Sequence, residues 1–167
     1  QSIKSIYVNQ GKTDDYLAFL KASGRSVSAS AEDSITYAAA EARFSSNDYN
    51  GAVAAFNNYI QKYPDGQFIL PANFYKAECL YNNKDYTNAL PAYEFVLSKN
   101  NSLYAERSAL QAASINFYQA KNYEKARNYY LQLQDLATSK ENSLAATRGL
   151  LRSTYQLKRW DEVSNYS

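Results

Sequence analysis

The chain has 167 residues, 46% of them hydrophobic and 20% charged, which is enough for one ordinary core and excludes overall disorder. A net charge of +2, with Lys and Arg scattered, gives no basic stripe, and no apolar run approaches the roughly 18 residues of a membrane span. Nucleic acid, an anionic membrane surface and direct membrane insertion are therefore set aside. There is no histidine, one cysteine (Cys79) and only 5 glycines. The commonest general base, the usual zinc ligands, an internal disulfide and a phosphate loop are all missing, so no cofactor, no metal and no enzymatic activity is expected.

No cleavable signal segment is visible at the start, and the chain has no methionine, not even an initiator. It reads as a mature or excised piece of a longer protein, and a missing targeting signal then says nothing about localisation. Gly and Pro are scarce at 5 and 3, which suits helices joined by short turns, and Tyr is abundant at 17.

Self-similarity organises the whole chain. Asn47-Asp48-Tyr49, Lys84-Asp85-Tyr86 and Lys121-Asn122-Tyr123 are alike, and their tyrosines stand 37 apart (86−49 and 123−86). The next step lands on Trp160. Phe44, Tyr81, Tyr118 and Tyr155 keep the same step, as do Ala52, Ala89, Ala126 and Val163, and Phe56, Tyr93 and Tyr130. Several columns in phase mark a repeat architecture.

In chain order, residues 1–24 form a degenerate partial repeat in which Tyr7 and Phe19 keep the columns. The Ser-rich residues 25–32 read as a linker or mobile loop. Full repeats follow at 33–64, 70–100 and 107–138, and a last one, 144–167, is cut off inside its second helix; both ends look severed from a longer array. Each repeat has two amphipathic segments around a short polar turn. In the first full repeat Tyr37, Ala40, Glu41 and Phe44 share one helical face, and Tyr49, Ala52, Val53, Phe56, Tyr59 and Ile60 share another. Asn47 or Asp48 is expected to cap the second helix, with Pro64 and Gly66 ending it. Pro71 falls near a helix start, where proline is tolerated, whereas Pro91 falls beyond a first turn and predicts a kink or a late start. Asp14-Asp15 and Asp161-Glu162 sit at helix starts, where negative charge suits the helix dipole.

These columns resemble the tetratricopeptide repeat, whose second helix carries Ala, an aromatic four later, and then Pro. Ala52, Phe56 and Pro64 match it; Ala89 with Tyr93 and Ala126 with Tyr130 match without the proline. The first-helix signature is poorly kept, with Thr36, Ala39, Ala40 and Arg43 in its places and small Ala40, Ala77 and Ser114 where a glycine belongs. The resemblance covers residues 33 to 167 well and 1 to 24 weakly. It implies an all-α, right-handed superhelical solenoid of antiparallel helix hairpins, here with a period of 37. The Lys62-Tyr63-Pro64-Asp65-Gly66 turn and Ala72-Asn73-Phe74-Tyr75 look like the long-period repeats of bacterial envelope proteins. That likeness implies a periplasmic setting, with the cytoplasm as the alternative.

In that family the first helix of each repeat lines a concave groove that holds a peptide or protein segment. The matching residues are Tyr37, Glu41 and Phe44; Phe74, Glu78 and Tyr81; Gln111, Ile115 and Tyr118; Arg148, Arg152 and Tyr155. A spacing of four then three puts each trio on one helical face. The groove would be acidic toward the start and basic toward the end, with tyrosines as anchors. Alternatively, Phe44, Tyr81, Tyr118 and Tyr155 pack against the neighbouring hairpin and the charges are simply solvated. Carboxylates at Glu41 and Glu78 argue against the family's clamp for an acidic terminus. Two other functions stay open: a glycan-binding module using the tyrosine faces, and a spacer or self-associating segment. Cys79, among Ala77, Leu80 and Tyr81, reads as a buried small hydrophobe rather than a reactive thiol.

Overall fold

The computed structural model describes residues 2–99 and 103–159. Among them are nine α-helices, one π turn and no strand. In chain order these are α1 (Ile3–Asn9), α2 (Thr13–Ala22), α3 (Ala29–Ser45), α4 (Tyr49–Lys62), α5 (Ile69–Asn82), α6 (Tyr86–Ser98), α7 (Ala105–Ser114) with a π turn at Ile115–Gln119, α8 (Tyr123–Leu136) and α9 (Lys140–Gln156). Trp160, Val163, the Asp161-Glu162 pair and the second helix expected in 144–167 lie outside the described residues.

Helix starts follow side-chain caps. Ser28 accepts from the Ala31 N–H, Asp48 from Gly51, Asn122 from Lys125 and Ser139 from Asn142. Each cap satisfies an N–H that the helix itself leaves unpaired. Ser28 corrects the sequence reading of 25–32 as a linker: Ala29, Ser30, Ala31 and Glu32 already belong to α3, and the connector is shorter. The Ser-rich composition concealed a cap. Pro91 lies inside α6, which begins at Tyr86, so the helix does not start late to avoid it.

The chain divides into two compact units, Gln1–Ala89 and Leu90–Ser167, with the division inside α6 just ahead of Pro91. In the first unit, Tyr37, Ala40, Ala52, Phe56, Tyr59, Ala72 and Cys79 form the main core, and Val8, Leu17, Ile35 and Ala39 a second one. In the second unit the core is Ala109, Ala113, Ala126, Tyr130, Leu133, Ala146 and Leu150. The repeat columns are thus packing columns: Ala52, Ala89 and Ala126 are fully buried, and Phe56, Tyr93 and Tyr130 are buried with them. Close approach extends to Gly149, where an added Cβ would stand 2.4 Å from the Tyr130 ring.

The hairpin turns keep the period in backbone form. Asn47, Lys84, Lys121 and Lys158 all have a left-handed φ, at 60°, 61°, 52° and 58°. After three of them the next N–H reaches back five residues, from Asp48 to Arg43, Asp85 to Leu80 and Arg159 to Thr154. These bonds satisfy carbonyls orphaned at the helix end. The third hairpin differs. There the Asn122 N–H reaches Asn116, six back, at 2.8 Å, and the Ala120 N–H reaches Ile115, five back. The equivalent bonds elsewhere, from Ser46, Asn83 and Leu157, reach four back. One extra residue is wound into this helix end, and that is the π turn. The buried Asn116 amide donates to the Ala112 carbonyl at 2.9 Å beside the widened turn.

Candidate functional site

The expected site lies on the first helices of the hairpins. In the first unit, Tyr37 and Phe74 are buried. The Tyr37 ring stacks on Phe68 at 4.5 Å and meets Tyr59 edge-on at 5.7 Å, and its hydroxyl donates to Glu41 Oε1 at 3.2 Å. Phe44 and Tyr81 are half-buried and lean on the first residue of the following helix, Tyr49 at 6.2 Å and Tyr86 at 5.2 Å. Glu41 is exposed and Glu78 half-buried. Most of this face is packing, with a polar edge.

A buried polar knot that sequence reasoning missed fixes the loop between α4 and α5. Asp33 accepts from the Tyr59 hydroxyl at 2.5 Å and from the Gln67 N–H at 2.9 Å. The Tyr59 oxygen in turn accepts from the Phe68 N–H at 2.9 Å. Burial, reinforced by hydrogen bonding to the Asp33 carboxylate, pushes the Tyr59 hydroxyl well above the usual tyrosine value. Gly66 is required there, because a Cβ would come within 2.5 Å of the Tyr59 hydroxyl. The second unit fastens the α8–α9 loop in a similar way with Glu106, which accepts from Asn142 Nδ2 (2.7 Å), Thr138 Oγ1 (2.8 Å) and the Thr138 N–H (3.0 Å). Those bonds, the one from Asn142 foremost, hold the Glu106 carboxyl below its usual range.

In the second unit Gln111 and Ile115 are buried, whereas Tyr118 and Tyr155 are 54% and 57% exposed and Arg148 and Arg152 are exposed beside them. The π turn explains Tyr118. Phe44 meets Tyr49 and Tyr81 meets Tyr86, five residues on; here Phe117 meets Tyr123, six residues on, at 5.3 Å and edge-on. Phe117 therefore occupies the seam that the column assigned to Tyr118, and Tyr118 is turned outward. Arg152 Nη1 donates to the Tyr118 hydroxyl at 3.0 Å.

Two clefts open around this group. One, of about 260 Å³, has Leu110, Phe117, Tyr130 and Gly149 in its lining and Arg148 and Arg152 with them. The other, of about 510 Å³, is lined by Phe117, Leu151, Arg152, Tyr155 and Gln156. The arrangement offers hydrogen-bond donors and aromatic faces around an apolar floor.

Cys79 is buried, and that burial pushes its thiol up to about 12. Asp14 and Asp15 lie in the first turn of α2, as helix-dipole partners should. Among the described residues, no group of His, Cys, Asp and Glu is placed to hold a metal ion, and no helix is long and apolar enough to cross a membrane.

Residues 36–66 match the family model described as tetratricopeptide repeat. Three solved structures share the fold. A MamA RS-1 ArsTM double mutant is 19% identical, with a TM-score of 0.63 over 98% of this chain and 86% of that one. The putative kinesin light chain of Podosopora anserina, with nearly identical tetratricopeptide-like repeats, gives a TM-score of 0.57 at 14% identity over 98% and 88% of the two chains. A single-substitution form of that light chain gives 0.59 at 13% identity, over 98% and 87%. No curated protein sequence matches the chain.

Proposed function

We propose that the chain is a non-catalytic protein–protein interaction scaffold built of tetratricopeptide repeats, whose first-helix face forms a concave groove that holds a peptide or protein segment; the family match at residues 36–66 and the shared fold support this reading. Protein interaction is the general use of this fold. The observation that carries the reading here is the exposed Tyr118, Tyr155, Arg148 and Arg152 around two neighbouring clefts in the second unit, Tyr118 and Arg148 at one, Tyr155 at the other and Arg152 at both. Tyrosine and arginine are the side chains that most often dominate binding energy, and a pocket beside them admits an anchor residue. Gln111 is buried in the second unit; within the first unit Tyr37 and Phe74 are buried, and Glu41, Phe44, Glu78 and Tyr81 keep some exposure on the first helices. A setting in the bacterial cell envelope goes with this proposal, on the likeness of the long-period turn.

The test is a cross-linking pull-down from separate envelope and cytosolic extracts, with the chain and its Tyr118→Ala/Tyr155→Ala variant as baits. A partner captured by the parent and lost in the variant, at unchanged helicity, is the expected result. Equal capture by both baits would sink the groove assignment, and the extract that yields the partner tests the localisation.

A further inference from the structure

We infer that the second unit's first-helix face takes an acidic protein segment carrying an aliphatic or aromatic anchor, with carboxylates bound by Tyr118, Arg148 and Arg152 and the anchor seated against Phe117 and Leu151. The inference deepens the scaffold reading and rests on it. Three observations carry it.

The first is the composition of the site. Arg148 and Arg152 stand one helical turn apart on α9, on one face, and both are exposed. Among the described residues no carboxylate pairs with either arginine. Arg152 makes one side-chain bond, to Tyr118, leaving most of its five N–H donors for a partner. The Tyr118 oxygen accepts from Arg152, so its own O–H remains a donor to offer a partner. A cluster of donors carrying two positive charges is complementary to an acceptor-rich, negatively charged ligand, and guanidinium groups bind carboxylates in a planar, two-bond geometry.

The second is the apolar cleft that Arg152 borders. The walls of the 510 Å³ opening are Phe117, Leu151 and Tyr155, with Arg152 shared between the charged rim and the cleft. A free anion or a purely charged tail would leave that surface in water; a segment with one large apolar side chain covers it. The third is the π turn. It puts Phe117 in the seam and Tyr118 on the rim, so that one adjacent pair supplies both the floor and the donor. In the first unit the regular turns leave Phe44 and Tyr81 half-buried at the seam, and the neighbouring charges are Glu41 and Glu78, which repel an acidic segment. Binding is thereby directed to one unit.

Fluorescence anisotropy on the full chain tests this with four labelled probes. They are a synthetic Asp/Glu-rich peptide with a central Leu-Phe, the same peptide with Asn/Gln for the acids, a Lys/Arg version, and single-stranded DNA. The acidic Leu-Phe peptide is expected to bind best, and more weakly as salt rises. Arg148→Glu/Arg152→Glu should weaken it about tenfold or more and shift preference toward the Lys/Arg peptide, since reversed charges repel the original ligand. Tyr118→Phe, which keeps the ring, should give a smaller loss, and circular dichroism should show all variants folded. Equal binding of the acidic and neutral peptides, tighter binding of DNA, no binding of any probe, or indifference to the charge reversal would overturn the inference. The scaffold reading fails separately: it survives if the pull-down partner is lost with Tyr118→Ala/Tyr155→Ala but captured normally by the charge-reversed chain.

Discussion

The two units treat the same column of aromatics in opposite ways. In the first, Phe44 and Tyr81 lean on Tyr49 and Tyr86, and Tyr37 disappears under Phe68 and Tyr59. In the second, one residue wound into a π turn hands the seam to Phe117 and leaves Tyr118 in solvent, with Tyr155 exposed one hairpin later. The loop fasteners follow the same division: Asp33 works in a buried site, Glu106 at the surface. A repeat can thus hold its fold and its surface chemistry on separate residues, and a change of one residue in helix winding moves an aromatic from one role to the other.

The contrast can be broken hardest at Phe56, which is fully buried in the first core. Phe56→Ala should cost about 3–5 kcal/mol through lost burial and a cavity, read as a large fall in thermal midpoint. Removing the fasteners compares the units directly. Asp33→Ala strands the buried Tyr59 hydroxyl and the Gln67 N–H and should cost about 1–3 kcal/mol per orphaned donor. Glu106→Ala, whose donors can turn to water, should cost about 1 kcal/mol or less by urea titration. Gly149→Ala sets about 1 kcal/mol of better helix propensity against overpacking of about 1–3 kcal/mol on the buried Tyr130 ring, so a modest net destabilisation is expected.

Acid should produce a smaller effect in both units. Asp48 is held low by the Gly51 N–H and by Arg43, and Glu106 by Asn142 and Thr138. A lowered folded value means that the stability they add is present above the unfolded values of 3.8 and 4.5 and fades as pH falls through the folded ones. Circular dichroism melts should accordingly hold steady down to about pH 5 and decline below it. The smallest effect belongs to Tyr118→Ala, an exposed site whose melting should shift by no more than about 0.5 kcal/mol equivalent. A large shift there would show that Tyr118 serves the fold after all.

The repeat is legible because packing imposes it. Ala52, Ala89 and Ala126 allow close helix approach and Phe56, Tyr93 and Tyr130 fill the space, so each position accepts few side chains and the 37-residue step survives. The π turn is invisible in the sequence for a physical reason. α7 begins at Ala105, 36 residues after Ile69 (105−69), and the extra residue in the turn restores the spacing by Lys121. The columns stay in phase while the side chains before the turn shift by one place. The adjacent Phe117 and Tyr118 and the buried amide of Asn116 are its available signals. The Asp33 knot is hidden because it joins a helix to a loop 34 residues away (67−33), a distance that no helical periodicity reports. Ser28 misleads because serine suits both loops and caps.

Cys79, sole thiol of the chain and fully buried in the first core, makes the molecule its own clock. A thiol reagent can reach it only when α5 parts from its neighbours, so the labelling rate counts openings of the first unit while the second stays silent. With a partner bound to the second unit, a slowing of that rate would measure directly how strongly one half of the chain feels what the other half holds.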